Sequence, residues 1–437
     1  MQIKKVTTYQ EALNFIHGRT KFKKSPQLDR MRLFTEKLGH PEKKFCSIHV
    51  TGTNGKGSTV AFLRELFLNQ GLHVGTFTSP FIIKFNDRIT FDGQMISDQE
   101  LVKLVRKVQP VVAQLDAQLA AKEGGPTEFE IITAIMFLYF AAKKPDIAII
   151  EVGIGGKFDS TNVIDPLVSV ITTVAHDHAK LLGKTLTEIA NHKAGIIKPN
   201  RPVVVGDLPA AALKVIEQKA QQTKSTLYQL GKDFKLATFP SQQWGEIINY
   251  QGFGYKLTNL QLSLLGSFQP ANAALSLSAF LLMAKQLQLN WRIKEIKAAL
   301  AQTKWPGRFE LVNQQPLIVL DGAHNLAAFI QLKQTLQTYF KERKIYVIVS
   351  ILADKQPKPM LAELLKIANV EIIGTNFAAP RKIADLQSIT AVNERTSFRD
   401  DWRVALVKTI RQMSSDDLLL ICGSLYFISE VRHYFAD

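Results

Sequence analysis

The sequence predicts an α/β protein in two unequal parts: a larger N-terminal unit built on a mostly parallel sheet and a smaller C-terminal α/β domain. Short apolar runs alternate with longer helix-like segments along most of the 437 residues, the pattern of strands and the helices that cover them. Runs such as 146–152 and 167–172 are apolar almost throughout, as strands covered on both faces are. Trp305-Pro306-Gly307 then interrupts the pattern with two helix-breaking residues, and the alternation restarts beyond it.

The first element is an apolar run, 45–50, that meets Thr51-Gly52-Thr53-Asn54-Gly55-Lys56-Gly57-Ser58-Thr59. Glycines around one lysine and a hydroxyl pair, followed by a helix-like segment, give the layout of a strand, phosphate loop and helix. The glycines let the backbone approach a polyphosphate, and the helix N-terminus offers free N–H groups and positive dipole. Lys56 would reach the outer phosphates and Ser58 or Thr59 would hold Mg²⁺. Gly57 departs from the usual loop by separating the lysine from the serine. A helix is expected over 60–69, a strand over 74–78 and irregular chain over 79–93. Ser97-Asp98-Gln99-Glu100 reads as a capping box for a helix through Leu101, Leu104, Val105 and Val108. Gly124-Gly125-Pro126 precedes a helix over 129–142. Thr185-Leu186-Thr187-Glu188 caps a short helix carrying Lys193. Antiparallel strands are expected from about 242 to 265 and a helix over 272–287. After the break, strands are expected at 317–320, 345–350, 370–373 and 418–422.

The charge balance is strongly basic, 54 Lys and Arg against 38 Asp and Glu, or +16. Nucleic acid, an anionic small substrate and the compositional habit of the source organism are the competing explanations. The basic residues are scattered, with short clusters at 21–24 and 341–344 and no zinc-finger or RNA-binding spacing, which favours small anions drawn by the summed field. No apolar run reaches the roughly 18 residues of a membrane span, and no apolar stretch backs the N-terminal lysines as in a signal peptide. Cys46 and Cys422 lie far apart beside or within expected strands; buried reduced thiols in cytosol are expected.

Several segments carry candidate chemistry. Glu151 ends an expected strand ahead of Gly153-Ile154-Gly155-Gly156, where ligands of open α/β sheets gather. It suits a Mg²⁺ ligand or an acidic helix-entry residue. Asp177-His178 follows another strand; histidine is an unusual Mg²⁺ ligand, and chemistry alone favours a hydrogen-bonding role for His178. Lys193 and Lys198 share a basic helix end that suits the dipole, and nothing local separates them. Asp321-Gly322-Ala323-His324-Asn325 suggests a ligand edge or a simple turn. Arg308 could offer a guanidinium fork to phosphate.

Together these segments resemble the folylpolyglutamate synthase / dihydrofolate synthase family, a branch of the Mur-ligase superfamily. The matching stretches are 51–59, Thr78-Ser79-Pro80, Asp87-Arg88-Ile89, 151–156, Asp177-His178, Leu182-Gly183-Lys184-Thr185-Leu186, 193–199, Asn272-Ala273-Ala274, Trp305-Pro306-Gly307-Arg308, 321–325 and Gly423-Ser424-Leu425-Tyr426, in family order across nearly the whole chain. Gly57 is the form that this family uses. The chain departs from the commoner pattern at Phe81, Lys157-Phe158, His192 and Leu326.

The resemblance implies a P-loop-type parallel-sheet ATPase domain with the folate site (1–298), a linker (299–307) and a smaller Rossmann-like glutamate ligase domain (308–437). It implies an ATP-dependent ligase joining glutamate to the γ-carboxylate of a reduced folate through an acyl phosphate. The alternatives are a bifunctional enzyme that also makes dihydrofolate from dihydropteroate, another Mur-type amide ligase, and a basic nucleotide-binding regulator. Only about fifty residues precede the loop, too few for the extra domain of a cell-wall ligase. Gly52, Thr53, Asn54, Gly55, Lys56, Gly57, Ser58, Thr59, Asn272, Arg308 and Asp321 match nucleotide positions. Ser58, Ser79, Glu151, His178 and Lys193 match the metal set, with Lys193 carbamylated and two Mg²⁺ ions, and K⁺ a further expectation. Lys56, His178, Lys193 and His324 would serve catalysis, and Arg88, Phe129 and Ser424 the substrates. A cytoplasmic monomer that binds reduced folate, L-glutamate and MgATP, and neither nucleic acid nor membrane, is expected.

Overall fold

A computed structural model describes residues 5–20, 27–121, 124–241, 243–379 and 381–435. The basic cluster at 21–24 lies outside the described residues. The first sheet contains β1 (Ser47–Thr51), β2 (Val74–Phe77), β3 (Ile89–Phe91), β4 (Gln94–Met95), β5 (Ile147–Glu151), β6 (Val168–Ile171), β7 (Val203–Val205) and β8 (Leu227–Gln229). Their order is β4-β3-β2-β5-β1-β6-β7-β8. From β2 to β8 every neighbouring pair is parallel, and β3 and β4 add an antiparallel edge. β1 and β5 are buried at every residue, because helices cover both faces.

On one face the helices Lys56–Leu68 and Gln269–Gln286 pack Phe62, Phe67 and Phe280 against the sheet. On the other, Asp98–Leu119 and Glu128–Lys143 bring Phe137 and Phe140. Glu128–Lys143 is apolar nearly all round because it is enclosed between the sheet and other helices. Its N-terminus carries a complete Thr127–Glu130 capping box, as Leu186–Ala194 carries the expected Thr185–Glu188 box. The Ser97 box is only half made: Ser97 accepts from the Glu100 N–H, while the Glu100 carboxylate pairs with Lys143 at 2.9 Å.

An antiparallel sheet, β9 (Phe234–Phe239), β10 (Glu246–Gly252) and β11 (Tyr255–Leu262), flanks this unit. β9 precedes the expected start near 242; it buries only its first residue, which erases the period-two signal. The second domain holds β12 (Glu310–Asn313), β13 (Leu317–Leu320), β14 (Ile345–Val349), β15 (Val370–Asn376), β16 (Thr396–Asp401) and β17 (Leu418–Cys422), in the order β12-β13-β17-β14-β15-β16. All pairs are parallel except β12 with β13. Asp321 therefore follows the second strand of this domain, not the first, since half-buried β12 showed no strand pattern. The helix Ile293–Gln302 runs into the expected linker as far as Gln302. Both cysteines are free, but Cys46 is exposed rather than buried, because it lies just ahead of the covered part of β1.

Candidate active site

β1 delivers the phosphate loop to the centre of the first sheet. The helix begins at Lys56 rather than near Val60, and its N-cap Gly55 is left-handed at φ 85°. A Cβ there would meet Asn272 Oδ1 at 2.4 Å, so glycine lets the loop and Asn272 touch. The loop is strapped to the chain beyond β6: Thr53 N–H donates to the Thr173 carbonyl and Asn54 N–H to Thr173 Oγ1, each at 2.9 Å. Lys56 Nζ folds back over the loop, 3.0 Å from the Gly52 carbonyl and 3.3 Å from that of Thr53. The Ser58 and Thr59 hydroxyls are buried and have no hydrogen-bond partner among the described residues. Such orphans cost free energy until something binds them.

Around the lysine stand the other expected residues of the first unit. Glu151 ends β5, is 4% exposed and accepts from the Ser79 N–H at 3.3 Å. Burial pushes its carboxyl up to about 6, against the opposing pull of Lys56 and that N–H. Lys193 is 2% exposed, and burial, aided by the Lys56 charge, drives its ammonium well below the usual lysine range. No hydrogen-bond acceptor among the described residues reaches its Nζ. His178 is left-handed at φ 49°, ahead of the short helix Ala179–Leu182. Burial lowers its imidazole to about 4, leaving it neutral with a free lone pair. Lys56 couples electrostatically to Glu151, Asp177 and Arg308, and also to His178 and Lys193.

The second domain closes the cleft. Asp177 is the hub: Lys355 Nζ lies 2.6 Å from its Oδ1 and Asn325 Nδ2 donates to its Oδ2 at 3.1 Å. Burial would raise this carboxyl, but His178 and His324, cationic in the acid range where it titrates, and Lys355 hold it well below the usual range. Asn325 also pairs with Asn54 of the loop, side chain to side chain in both directions at 3.0 and 3.2 Å. His324 bonds the Gly322 carbonyl through Nδ1 at 2.8 Å, and its Nε2 is 3.8 Å from Asp177. Burial lowers His324 to about 4. Asp321 spends both oxygens on backbone N–H groups, those of Phe309 and Ala323 at 2.8 Å, which holds the corner that carries Arg308. The guanidinium couples across the cleft to Glu151.

Arg88, one of the expected substrate residues, lies 5.4 Å from the ring centres of both Phe81 and Phe85, and its buried Nε has no partner among the described residues. It couples to Tyr426 of the second domain. Phe129 is half-buried, 5.9 Å from Phe77. Gly153 lies directly against it, since a Cβ there would be 2.7 Å from the Phe129 ring. Ser424 is buried at the N-cap of Leu425–Arg432 without capping it. Sequence reasoning missed Lys355 and Asn325 as functional candidates. Asn325 lay within the quoted 321–325 segment; Lys355 sits in a loop with no motif.

Among the described residues no three His, Cys, Asp or Glu side chains group to hold a metal, and the expected set has only Glu151 and His178 of those types. Its remaining members are hydroxyls and an amine. An orphaned Ser58 hydroxyl and an underneutralised buried Glu151 nevertheless suit a hard, oxygen-seeking cation.

A central phosphate loop facing a second α/β domain across a charged cleft defines an ATP-dependent ligase of the Mur type. Residues 50–280 match the Mur ligase middle domain and residues 307–425 the Mur ligase glutamate ligase domain. The dihydrofolate synthase/folylpolyglutamate synthase of Bacillus subtilis is 41% identical, over 98% of this chain and 99% of its own. The folylpolyglutamate synthase of Lacticaseibacillus casei is 38% identical, over 97% and 98%. A solved FPGS–AMPPCP–folate complex aligns with a TM-score of 0.88 at 36% identity, covering 99% of this chain and 100% of that one. The chain belongs to the folylpolyglutamate synthase/dihydrofolate synthase family.

Proposed function

We propose that this protein adds L-glutamate to the γ-carboxylate of a reduced folate at the expense of ATP. The observation that carries the reading is the phosphate loop with unpartnered Ser58 and Thr59 hydroxyls, facing Arg308 of the second domain across the cleft, with Asp177 on the loop's own side. A γ-carboxylate oxygen attacks the terminal phosphorus as the bond to ADP breaks. The glutamate amine then attacks the acyl carbon, phosphate leaves and the amine loses a proton. Neither step needs a protein nucleophile; both need positioned cations and exclusion of water.

The loop from Gly52 to Thr59, with Lys56 foremost, holds the phosphates, Asn272 and Asp321 border the nucleotide, and Arg308 reaches it from the second domain. Ser58, Ser79, Glu151, His178 and Lys193 would hold two Mg²⁺ ions, which neutralise phosphate charge when bound. The neutral amine is the form that adds CO₂, and burial favours that form at Lys193, which suits carbamylation: its lone pair attacks the carbon, the nitrogen loses a proton, and an anionic oxygen donor results. K⁺ belongs to the same expectation. Arg88 receives a substrate carboxylate, Phe129 borders the pterin, and His324 and Ser424 face the incoming glutamate. The enzyme works as a monomer in the cytoplasm. No helix among the described residues is long and apolar enough to cross a membrane.

The test is incorporation of labelled glutamate with MgATP and, in parallel, tetrahydrofolate, a methylene-folate and dihydropteroate. Product from reduced folates supports the reading, and additional product from dihydropteroate adds the dihydrofolate synthase activity. No product from any acceptor, with folded protein, refutes it.

A further inference from the structure

Gly57, the residue that separates Lys56 from Ser58, has no backbone reason to be glycine. It lies in the first turn of Lys56–Leu68 and has no positive φ, so alanine would suit its conformation better. The ring of Trp305 is what excludes a side chain. A Cβ on Gly57 would stand 2.7 Å from Trp305 Nε1, 2.8 Å from Cζ2 and 2.9 Å from Cε2, well inside the ~3.5–4.0 Å of favourable contact. The ring is partly buried and packs on the core shared by Lys56–Leu68, Gln269–Gln286 and Ile293–Gln302. Its N–H is buried with no acceptor among the described residues, so the ring's shape, not a hydrogen bond, makes the contact. Trp305 also stands in the linker, just ahead of Arg308. One indole thus touches the first turn of the phosphate-loop helix and belongs to the segment that delivers the second domain's guanidinium.

We infer that Trp305 is a positioning residue that registers the interdomain linker on the phosphate loop, so that Lys56, Ser58 and Arg308 address one nucleotide together, and that Gly57 is glycine to leave room for this contact. The inference rests on the nucleotide reading above but not on the identity of the acceptor.

The test measures Mg-AMPPCP affinity of the full chain by titration calorimetry, with thermal melts alongside. Gly57→Ala should weaken binding roughly tenfold or more, the consequence of overpacking by one methyl. Trp305→Ala should weaken it several-fold, and Trp305→Phe, which keeps a flat ring and drops the N–H, should stay close to wild type. Gly57→Ala with Trp305→Ala should bind more tightly than Gly57→Ala alone, and the loss caused by Arg308→Ala should shrink once Trp305 is alanine. A double variant that loses the product of the two single losses overturns the inference. So does Trp305→Phe binding as weakly as Trp305→Ala, which decides the matter even if Gly57→Ala does not fold. Wild-type protein that binds no Mg-AMPPCP overturns the nucleotide reading and the inference with it.

Discussion

Replacing Glu151 with glutamine should stabilise the unliganded protein while disabling it. The carboxyl is 4% exposed and burial raises it from 4.5 to about 6. That difference corresponds to about 2 kcal/mol, at 1.36 kcal/mol for each tenfold change in proton affinity. The folded state binds this proton more tightly than the unfolded state does. The associated stability is therefore complete below pH 4.5 and is lost as pH rises to about 6. Glutamine stays neutral and can still accept from the Ser79 N–H, so it escapes the loss. Above pH 6 the variant should melt higher than wild type, by roughly 3 °C for about 2 kcal/mol in a unit of about 300 residues. Below pH 4.5 the two should coincide. The assay is a pair of thermal melts in chelator, without nucleotide, on each side of that window. Turnover with Mg²⁺ should fall by about a hundredfold or more, because glutamine brings no charge to the cation. A variant no more stable than wild type above pH 6, or more stable by the same margin at both pH values, refutes the reasoning.

Three further substitutions probe the rest of the cleft. Lys193→Ala should nearly abolish turnover while the protein still melts cooperatively, and a carbamate carbon signal from labelled bicarbonate should disappear with it; unchanged activity would remove the carbamate assignment. Arg308→Ala should raise KM for ATP well above any change in KM for glutamate, and an unchanged ATP dependence would contradict a nucleotide site shared between domains. Lys355→Ala strips the 2.6 Å partner from Asp177, leaves a buried carboxylate exposed to its own desolvation, and should weaken the closed cleft by about 3 kcal/mol; calorimetry should then show the two domains melting separately, and a single unshifted transition would deny the contact a closing role.

Features carried by local chemistry were legible in the sequence. The apolar run into β1, the glycines of the loop and the Thr185 cap each follow from neighbours a few residues away. Glu151 and Asp177 could be picked out because strand ends mark where ligands collect. What stayed hidden depends on distant chain. Lys193 and Lys198 read alike in sequence, yet Lys198 donates to the Asn162 carbonyl at 2.9 Å whereas the Lys193 amine meets no acceptor among the described residues. Lys355 reaches Asp177 from the other domain, with no motif to announce it. Gly57 was visible as an oddity, but its neighbour Trp305 is brought to it only by folding. β9, β12 and β16 were missed because partial burial leaves no periodicity to read, and β3, inside the chain expected to be irregular, β4, β7 and β8 because two or three residues are too short for a pattern.

Several groups that fold at a cost line this cleft. Glu151 ionises reluctantly, the Lys193 ammonium is driven toward its neutral form, and the Ser58 and Thr59 hydroxyls go unpaired, all around Lys56. If these residues served only to hold the fold, apolar side chains would hold it better, since each buried unpaired polar group costs on the order of 1–3 kcal/mol. Asp321 differs in that both its oxygens, though burial raises its carboxyl too, accept from backbone donors. A cleft lined with unsatisfied donors and acceptors instead stores favourable interactions for a bound nucleotide and cation, already oriented when charge moves between phosphorus and the acyl group. Ligands that complete these groups bind the folded state alone, so Mg-nucleotide should raise the melting temperature in proportion to the logarithm of its concentration, and substitutions at Ser58 or Glu151 should flatten that slope more than substitutions at Asp321-supported Phe309, which faces the core.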